Sequence, residues 1–215
     1  MKRVLPSFAA LLIVLLAACA PTTGDTSTAT SAALAAPCAT EPPPVVAVIE
    51  FENTTGRYGT TVTGVEEAAT ARLITLLKES GCYEIVEQSE LQNVMMQQGL
   101  ESMEPEALAK AAGAGYVITG TVTRATIAEP GVAVFGVSLG ETRADVEVDV
   151  RATDIITGTI VVSETGSGTA SSPNVAVDRI PAGRISYDDP TVGPILADAS
   201  AAAVREVVGF IRATF

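Results

Sequence analysis

Residues 144–152 read Ala-Asp-Val-Glu-Val-Asp-Val-Arg-Ala, so apolar and charged side chains alternate along this stretch. Successive residues of a β-strand point to opposite faces of a sheet, and a period of two therefore predicts a strand. The apolar face carries Val146, Val148 and Val150, and the acidic face carries Asp145, Glu147 and Asp149. Such a strand is expected to bury one face and to leave the other in a polar environment.

Turn residues on both sides of this strand predict an antiparallel meander. The stretch Gly140-Glu141-Thr142-Arg143 is expected to join it back to a strand at Val132–Leu139. Thr157-Gly158 is expected to turn the chain forward into a further strand at Thr159–Glu164.

The first half of the chain has a different order of elements. The β-branched run at Val45–Phe51 predicts a buried strand, and apolar residues between Val65 and Leu77 recur at helical spacing. Next come a strand at Tyr83–Glu87, two short helices ending at Gly99 and Gly113, and a strand at Tyr116–Ile127. The order β-α-β-α-α-β predicts a partly parallel sheet with helices packed on it.

A long closing helix is expected to open at Asp189-Pro190. The sequence therefore predicts an α+β fold. It combines a three-layer-like α/β domain and its partly parallel sheet with an antiparallel meander and a long C-terminal helix.

The composition excludes several classes of function. The 215 residues include no His. They include 13 Lys and Arg and 25 Asp and Glu, which gives a formal charge of −12. The usual general base and zinc ligand are therefore missing, and the negative field repels phosphate backbones. We expect no catalytic residue, no metal, no cofactor and no nucleic-acid partner. An enzymatic alternative would rest on Glu50 with Glu52, or on Asp188 with Asp189, as an acid/base pair.

The N-terminus has the pattern of an export signal. Lys2 and Arg3 precede an apolar run that ends in Leu16-Ala17-Ala18-Cys19. This ending resembles the lipobox of bacterial lipoproteins, which implies that residues 1–18 are removed and that Cys19 is acylated and held by outer-membrane lipid. Residues 19–44 are rich in Thr, Ser, Ala and Pro and are expected to form a flexible tether, with the folded domain at 45–215. Ala20, rather than an acidic residue, follows the Cys and implies outer-membrane sorting.

Two further cysteines, Cys38 and Cys82, each lie shortly before a predicted strand. Adjacent parallel strands would bring these positions close together, and an exported domain permits disulfides. The sequence therefore allows a Cys38–Cys82 bridge, and the alternative is a pair of unpaired thiols.

An ordered set of short stretches resembles the CsgG family of curli-secretion lipoproteins. The stretches are Val45-Val46-Ala47-Val48, Asn53-x-Thr55-Gly56, Thr70-Ala71-x-Leu73-Ile74-Thr75-x-Leu77-Lys78-x-Ser80, Glu87-x-x-x-Leu91-Gln92-Asn93, Gly120-Thr121, Phe135-Gly136-Val137, Thr157-Gly158-Thr159-Ile160 and the helix at Asp189-Pro190. The resemblance implies a homo-oligomeric ring, not an enzyme. In that family each subunit lends two β-hairpins to an outer-membrane barrel through which unfolded protein substrates are exported.

Two segments are candidates for such hairpins. The first is Val132–Val150, which contains Phe135 and the alternating strand, so the acidic and apolar residues of that strand would face a lumen and the membrane. The second is Ile160–Tyr187, which contains Gly166, Gly168 and Pro173. The alternative is a tethered periplasmic accessory lipoprotein that docks on an envelope partner, either a secretion component or a peptidoglycan synthase. Asp145, Glu147 and Asp149 would then form a recognition face or only aid solubility.

Overall fold

The computed structural model describes residues 38–58, 61–99, 104–128, 131–134, 137–173 and 184–215. Side chains are described within these ranges except at 57–58, 131–134, 137–140, 173 and 184. The strands are β1 Val45–Val48, β2 Glu52–Asn53, β3 Thr61–Thr63, β4 Glu84–Val86, β5 Tyr116–Ala128, β6 Gly131–Val134, β7 Val137–Asp154, β8 Thr159–Pro173 and β9 Arg184–Ser186. The helices are α1 Val65–Ser80, α2 Gln88–Gln97, α3 Pro105–Ala111 and α4 Gly193–Thr214, with a 3₁₀ turn at Thr55–Tyr58.

One mixed sheet organises these elements. Strands β4, β1 and β5 pair in parallel, and β2 adds a short parallel contact to β5. Strands β5, β7 and β8 pair antiparallel. Helices α1 and α4 pack on one face over the main core, and α2 and α3 cover the parallel half of the other face. The predicted fold class is confirmed.

Strand β7 is longer than the sequence predicts, and the turn predicted at Gly140–Arg143 is wrong. These residues continue the ladder, with Arg143 opposite Ala128 and Thr142 opposite Ser172. The period of two runs on through them, because Thr142 is only 1% exposed while Arg143 faces solvent. The chain reverses between Val134 and Val137 instead, where β6 meets β7.

Helix α4 lies directly against β8, at the two glycines that interrupt the candidate second hairpin. A Cβ atom built on Gly166 would lie 2.2 Å from the carbonyl oxygen of Ala203, and one on Gly168 would lie 1.9 Å from that of Ala199. The strand itself is unbroken from Thr159 to Pro173. These glycines are therefore the places where a helix backbone meets a strand backbone.

Helix α4 starts later than the sequence predicts, whereas α3 starts where it is predicted. Helix α4 begins at Gly193, not at Asp189-Pro190, because Asp189 Oδ1 accepts the backbone N–H groups of Thr191 and Val192 in a preceding turn. Helix α3 begins at Pro105, as the sequence predicts. Among the described helices, none has both the length and the hydropathy required to cross a membrane.

Asn53 organises the loop that follows β2. Its Nδ2 donates to the carbonyl oxygen of Val62 at 2.6 Å and to Glu66 Oε2 at 2.7 Å. Its Oδ1 accepts the backbone N–H of Thr55 at 3.1 Å and the Thr55 hydroxyl at 2.7 Å. The contacts to Val62 and Glu66 lie at the start of α1, so this side chain ties the turn after β2 to the beginning of the first helix.

The C-terminal residue closes the main core. The Tyr83 hydroxyl donates to an oxygen of Phe215 at 2.8 Å, and the Phe215 ring stacks on Tyr116 with centroids 4.4 Å apart. Burial raises the pKa of Tyr83 to about 12, against the opposing charge of Arg212. The folded protein therefore holds this phenol in its protonated form.

This raised pKa predicts a loss of stability at alkaline pH. A folded-state pKa above the unfolded value gives stability that is complete below pH 10 and is lost as the pH rises towards 12. The free energy of unfolding should fall over this interval more steeply in the wild type than in Tyr83→Phe, as measured by urea titration at each pH. Equal slopes for the two proteins would contradict the assignment.

Candidate docking face on the antiparallel sheet

The alternating strand is β7, and the structure places its two faces in different surroundings. Val146, Val148 and Val150 are 1%, 0% and 1% exposed within the main core. Side chains covered by protein in this way are not available to lipid, so the predicted membrane face of β7 is instead a core face. Asp145, Glu147 and Asp149 lie on the opposite face and are partly exposed.

Neighbouring strands supply hydrogen-bond partners to these carboxylates. Asp145 Oδ1 accepts the Thr169 hydroxyl at 2.7 Å and is paired with Arg143, whose Nη2 lies 2.7 Å away. Asp149 accepts the Thr165 hydroxyl at 2.5 Å. The hydrogen bond from Arg143 is the main reason that the pKa of Asp145 is lowered, so this carboxylate stays ionised at neutral pH.

Glu147 completes the row through a different strand. Its Oε1 lies 3.3 Å from Arg124 Nη1 of β5. Both side chains are substantially exposed, at 58% for Arg124 and 39% for Glu147, so this ion pair contributes little stability. The row on β7 is therefore a set of partly exposed carboxylates, each in contact with a hydroxyl or guanidinium group of a neighbouring strand.

A cleft adjoins this row at the carboxyl end of β1. It has a volume of about 570 Å³, and the start of α3 forms one wall. Its charged lining consists of Glu50, Glu52, Glu104, Glu106, Asp149 and Arg151. Five carboxylates against one guanidinium give the cleft a strongly negative field, which suits cationic groups.

Sequence reasoning treated Glu50 and Glu52 as a strand end or an acid/base pair and missed Glu104 and Glu106. The two later residues flank Pro105, so the charges at the start of α3 were the available signal. Within the described ranges, no group of three or more His, Cys, Asp or Glu side chains is arranged to hold a metal ion. The negative cleft is thus suited to binding positive charge.

Among the described residues, the hairpin made by β6 and β7 extends beyond the rest of the sheet. The described part of β8 pairs with β7 as far as Pro173 opposite Glu141, and past that point four residue pairs are described, from Gly131 with Gly140 to Val134 with Val137. Phe135, the aromatic residue predicted for this hairpin, lies outside the described residues. Cys19 lies outside them as well.

The structure joins Cys38 to Cys82, with the two sulfur atoms 2.08 Å apart and the Cα atoms 5.3 Å apart. Parallel pairing of β1 with β4, with Val45 opposite Glu84, brings the two positions together. Cys82 is buried, and Cys38 packs against the same core. The last residues of the predicted tether, from Cys38 onwards, are therefore held to the domain.

The sequence of the chain matches one family model over most of its length. The model for the curli production assembly/transport component CsgG matches residues 26–215. The chain belongs to the CsgG family. This CsgG-family chain has no match among curated proteins.

Several solved structures are similar to this CsgG-family chain at low sequence identity, each with a TM-score below 0.5. The hypothetical protein CT253 from Chlamydia trachomatis is 14% identical, with 80% of this chain and 97% of that chain covered and a TM-score of 0.49. The LpoB C-terminal domain from Escherichia coli is 20% identical, with coverages of 65% and 92% and a TM-score of 0.44. A PelC dodecamer from Paraburkholderia phytofirmans is 16% identical, with coverages of 82% and 93% and a TM-score of 0.46.

Proposed function

We propose that this chain is a lipid-anchored, non-enzymatic accessory subunit of a bacterial envelope assembly or export apparatus, with its folded domain in the periplasm. The observation that carries the proposal is the length of the hairpin formed by β6 and β7. Within the described residues it offers four paired residues in each strand beyond Pro173 of β8, whereas a spanning strand needs about 9–11. A hairpin of this size reaches a neighbouring surface more readily than it crosses a bilayer.

The proposed anchor is Cys19 of the Leu16-Ala17-Ala18-Cys19 stretch. Removal of residues 1–18 would make Cys19 the first residue of the mature chain, and several acyl chains on it, each methylene contributing about 0.8 kcal/mol, would hold the protein firmly in a membrane. Ala20, which follows Cys19, favours sorting of the lipoprotein to the outer membrane. Residues 19–37 would then form the free part of the tether, because Cys38 is tied to the domain.

The acidic cleft and the row on β7 are the proposed docking face. They are contiguous through Asp149 and Arg151, and the described helices leave this half of the sheet face uncovered. Charge complementarity points to a basic surface on an envelope protein partner, which the negative field would attract and orient. A docking role needs no bond-breaking chemistry, in keeping with the absence of His from the sequence.

A pore subunit is the second candidate function. The family description, an assembly and transport component, favours it. In that case the subunits would form a homo-oligomeric ring, and the hairpins of the ring would close a barrel through which unfolded protein substrates pass. Closing a barrel through assembly would leave no unpaired strand edge in lipid.

One pair of samples separates the two functions. The unacylated protein, made with a cleavable secretory leader and Cys19→Ala, is expected to be soluble without detergent, and the acylated protein is expected to produce no conductance in planar bilayers. Mass spectrometry should place the acyl groups of the wild type on Cys19. A ring that needs detergent to stay in solution and that conducts ions in planar bilayers would establish the pore function and overturn the accessory one.

A photo-crosslinking residue, introduced into the protein in intact bacterial cells, tests the docking face. When this residue replaces Thr121 in the cleft, it should capture a partner. The yield of the crosslinked product should fall in the double variant that carries both Glu104→Gln and Glu106→Gln. Placed at Ile156, which is 90% exposed at the turn between β7 and β8, it should give no such product. Equal capture at both sites, or a yield unaffected by the loss of the two carboxylates, would contradict docking through this face.

A further inference from the structure

A groove between α1 and α4 lies on the opposite side of the sheet from the docking face. It has a volume of about 540 Å³, a size typical of small-ligand sites, and alanines on both helices keep it open. Its polar lining includes Arg72 of α1, Ser200 and Arg205 of α4, and Tyr187. None of these residues takes part in the function proposed above.

The two arginines of the groove form no direct ion pair in the part of the chain that the structure describes. Within the described residues neither Arg72 nor Arg205 forms an ion pair or a hydrogen bond, whereas Lys78, Arg124 and Arg143 are each paired with a carboxylate. The Nε of Arg72 is buried and has no acceptor. Two unpaired guanidinium groups at one groove are unexpected in a chain with nearly twice as many acidic as basic residues.

Ser200 is a second, independent sign of a missing partner. Its side chain is 2% exposed, it lines the groove, and its Oγ has no hydrogen-bond partner. Buried hydroxyl groups are normally hydrogen-bonded, because an unsatisfied one costs free energy. A ligand oxygen in the groove would satisfy both Ser200 and Arg72.

Tyr187 can act as a further donor. Burial is the main cause that raises the pKa of its phenol, followed by the charges of Asp198 and Asp188, while Arg72 acts in the opposite direction. The phenol is therefore protonated at neutral pH. The presence of Asp198 in the lining limits the net charge of the groove, with Arg72 and Arg205, to about one positive unit.

We infer that the groove between α1 and α4 is a binding site for an oxyanion, a phosphate or carboxylate group held by Arg72, Arg205 and Ser200. Guanidinium groups bind such anions through paired, charge-assisted hydrogen bonds, and a serine hydroxyl adds a short neutral donor. The net charge favours one anionic group over a polyanion. The anion can come from a soluble small molecule or from a phospholipid headgroup, and the chemistry of recognition is the same.

Calorimetric titration of sodium phosphate into the full-length lipoprotein, in a nonionic detergent at constant ionic strength, tests this site. Arg72→Gln and Arg205→Gln are each expected to weaken binding by about tenfold. Ser200→Ala should also weaken binding, yet it should not lower the thermal midpoint, because the hydroxyl it removes has no partner in the ligand-free protein. The matched control is Arg124→Gln, which removes a guanidinium from the other side of the sheet and should leave the affinity unchanged.

The source of the anion follows from a comparison of probes. Tighter binding of glycerophosphoglycerol than of inorganic phosphate would indicate a phospholipid headgroup, and tighter binding of phosphate or acetate would indicate a soluble ligand. Both results support the site. It is overturned if none of these probes binds at about 10 mM, or if the Arg72 and Arg205 variants bind phosphate as tightly as the wild type does.

Discussion

Substitution of Gly168 by alanine is expected to lower the free energy of unfolding by about 3 kcal/mol. The added Cβ would lie 1.9 Å from the carbonyl oxygen of Ala199 and 2.6 Å from the backbone nitrogen of Ala203. Both atoms belong to the backbone of α4, so no side-chain rotation relieves the contact. The helix has to move away from β8, and it then loses packing along its whole buried face.

The measurement is urea denaturation followed by circular dichroism. Gly166→Ala should give a loss of similar size, because its Cβ would lie 2.2 Å from the carbonyl oxygen of Ala203. The double variant should be less destabilised than the sum of the two, since both substitutions displace the same helix.

Gly115→Ala is the matched control for these substitutions. Its Cβ would lie 3.7 Å from the carbonyl oxygen of Val45, an ordinary contact, so its effect should stay within about 0.5 kcal/mol. If Gly168→Ala is as mild as this control, α4 does not rest on β8 as the structure describes.

Removal of the Cys38–Cys82 bridge is expected to cost about 2–4 kcal/mol. The two cysteines are 44 residues apart, and a cross-link that closes a long loop restricts the unfolded chain strongly. Cys38→Ala alone and Cys38→Ala with Cys82→Ala should therefore destabilise by comparable amounts, because each eliminates the cross-link.

A reductant provides the internal control for this prediction. Dithiothreitol should lower the urea midpoint of the wild type towards that of the double variant, and it should leave the midpoint of the double variant unchanged. Thiol labelling of the unfolded, unreduced protein should detect no free Cys38 or Cys82. A wild-type midpoint that is insensitive to reductant would show that the bridge contributes no stability.

The fold was largely predictable where the pattern was long and regular. The β-branched run at Val45–Phe51, the helical spacing from Val65 and the alternation at 144–152 each specify an element without help from distant residues. Pro105 also marks the start of its helix by itself, because proline suits a first helical turn.

Features that depend on distant residues were not predictable. The stretch Gly140–Arg143 has turn-forming residues, but it is held extended because Gly140 pairs with β6 and the next three residues pair with β8. Gly166 and Gly168 resemble interruptions of a strand until the close approach of α4 explains them.

The candidate docking face was also predictable only in part. The acidic side of β7 could be read from the alternation alone. The cleft beside it could not, because its walls come from β1, the start of α3 and β5, which are separated by tens of residues. The groove of Arg72 and Arg205 likewise joins two helices that are far apart in the sequence, and neither helix is unusual by itself.

The covalent link at Cys38 also determines where mechanical tension enters the domain. Tension applied through residue 37 passes across the sulfur atoms to Cys82, between α1 and β4, before it reaches β1. Strand β1 lies between β4 and β5 in the middle of the sheet, and it cannot be peeled away from its N-terminal end while that bond is intact. With Cys19 acylated as proposed, membrane motion would therefore pull on the domain without unfolding it from the point of attachment.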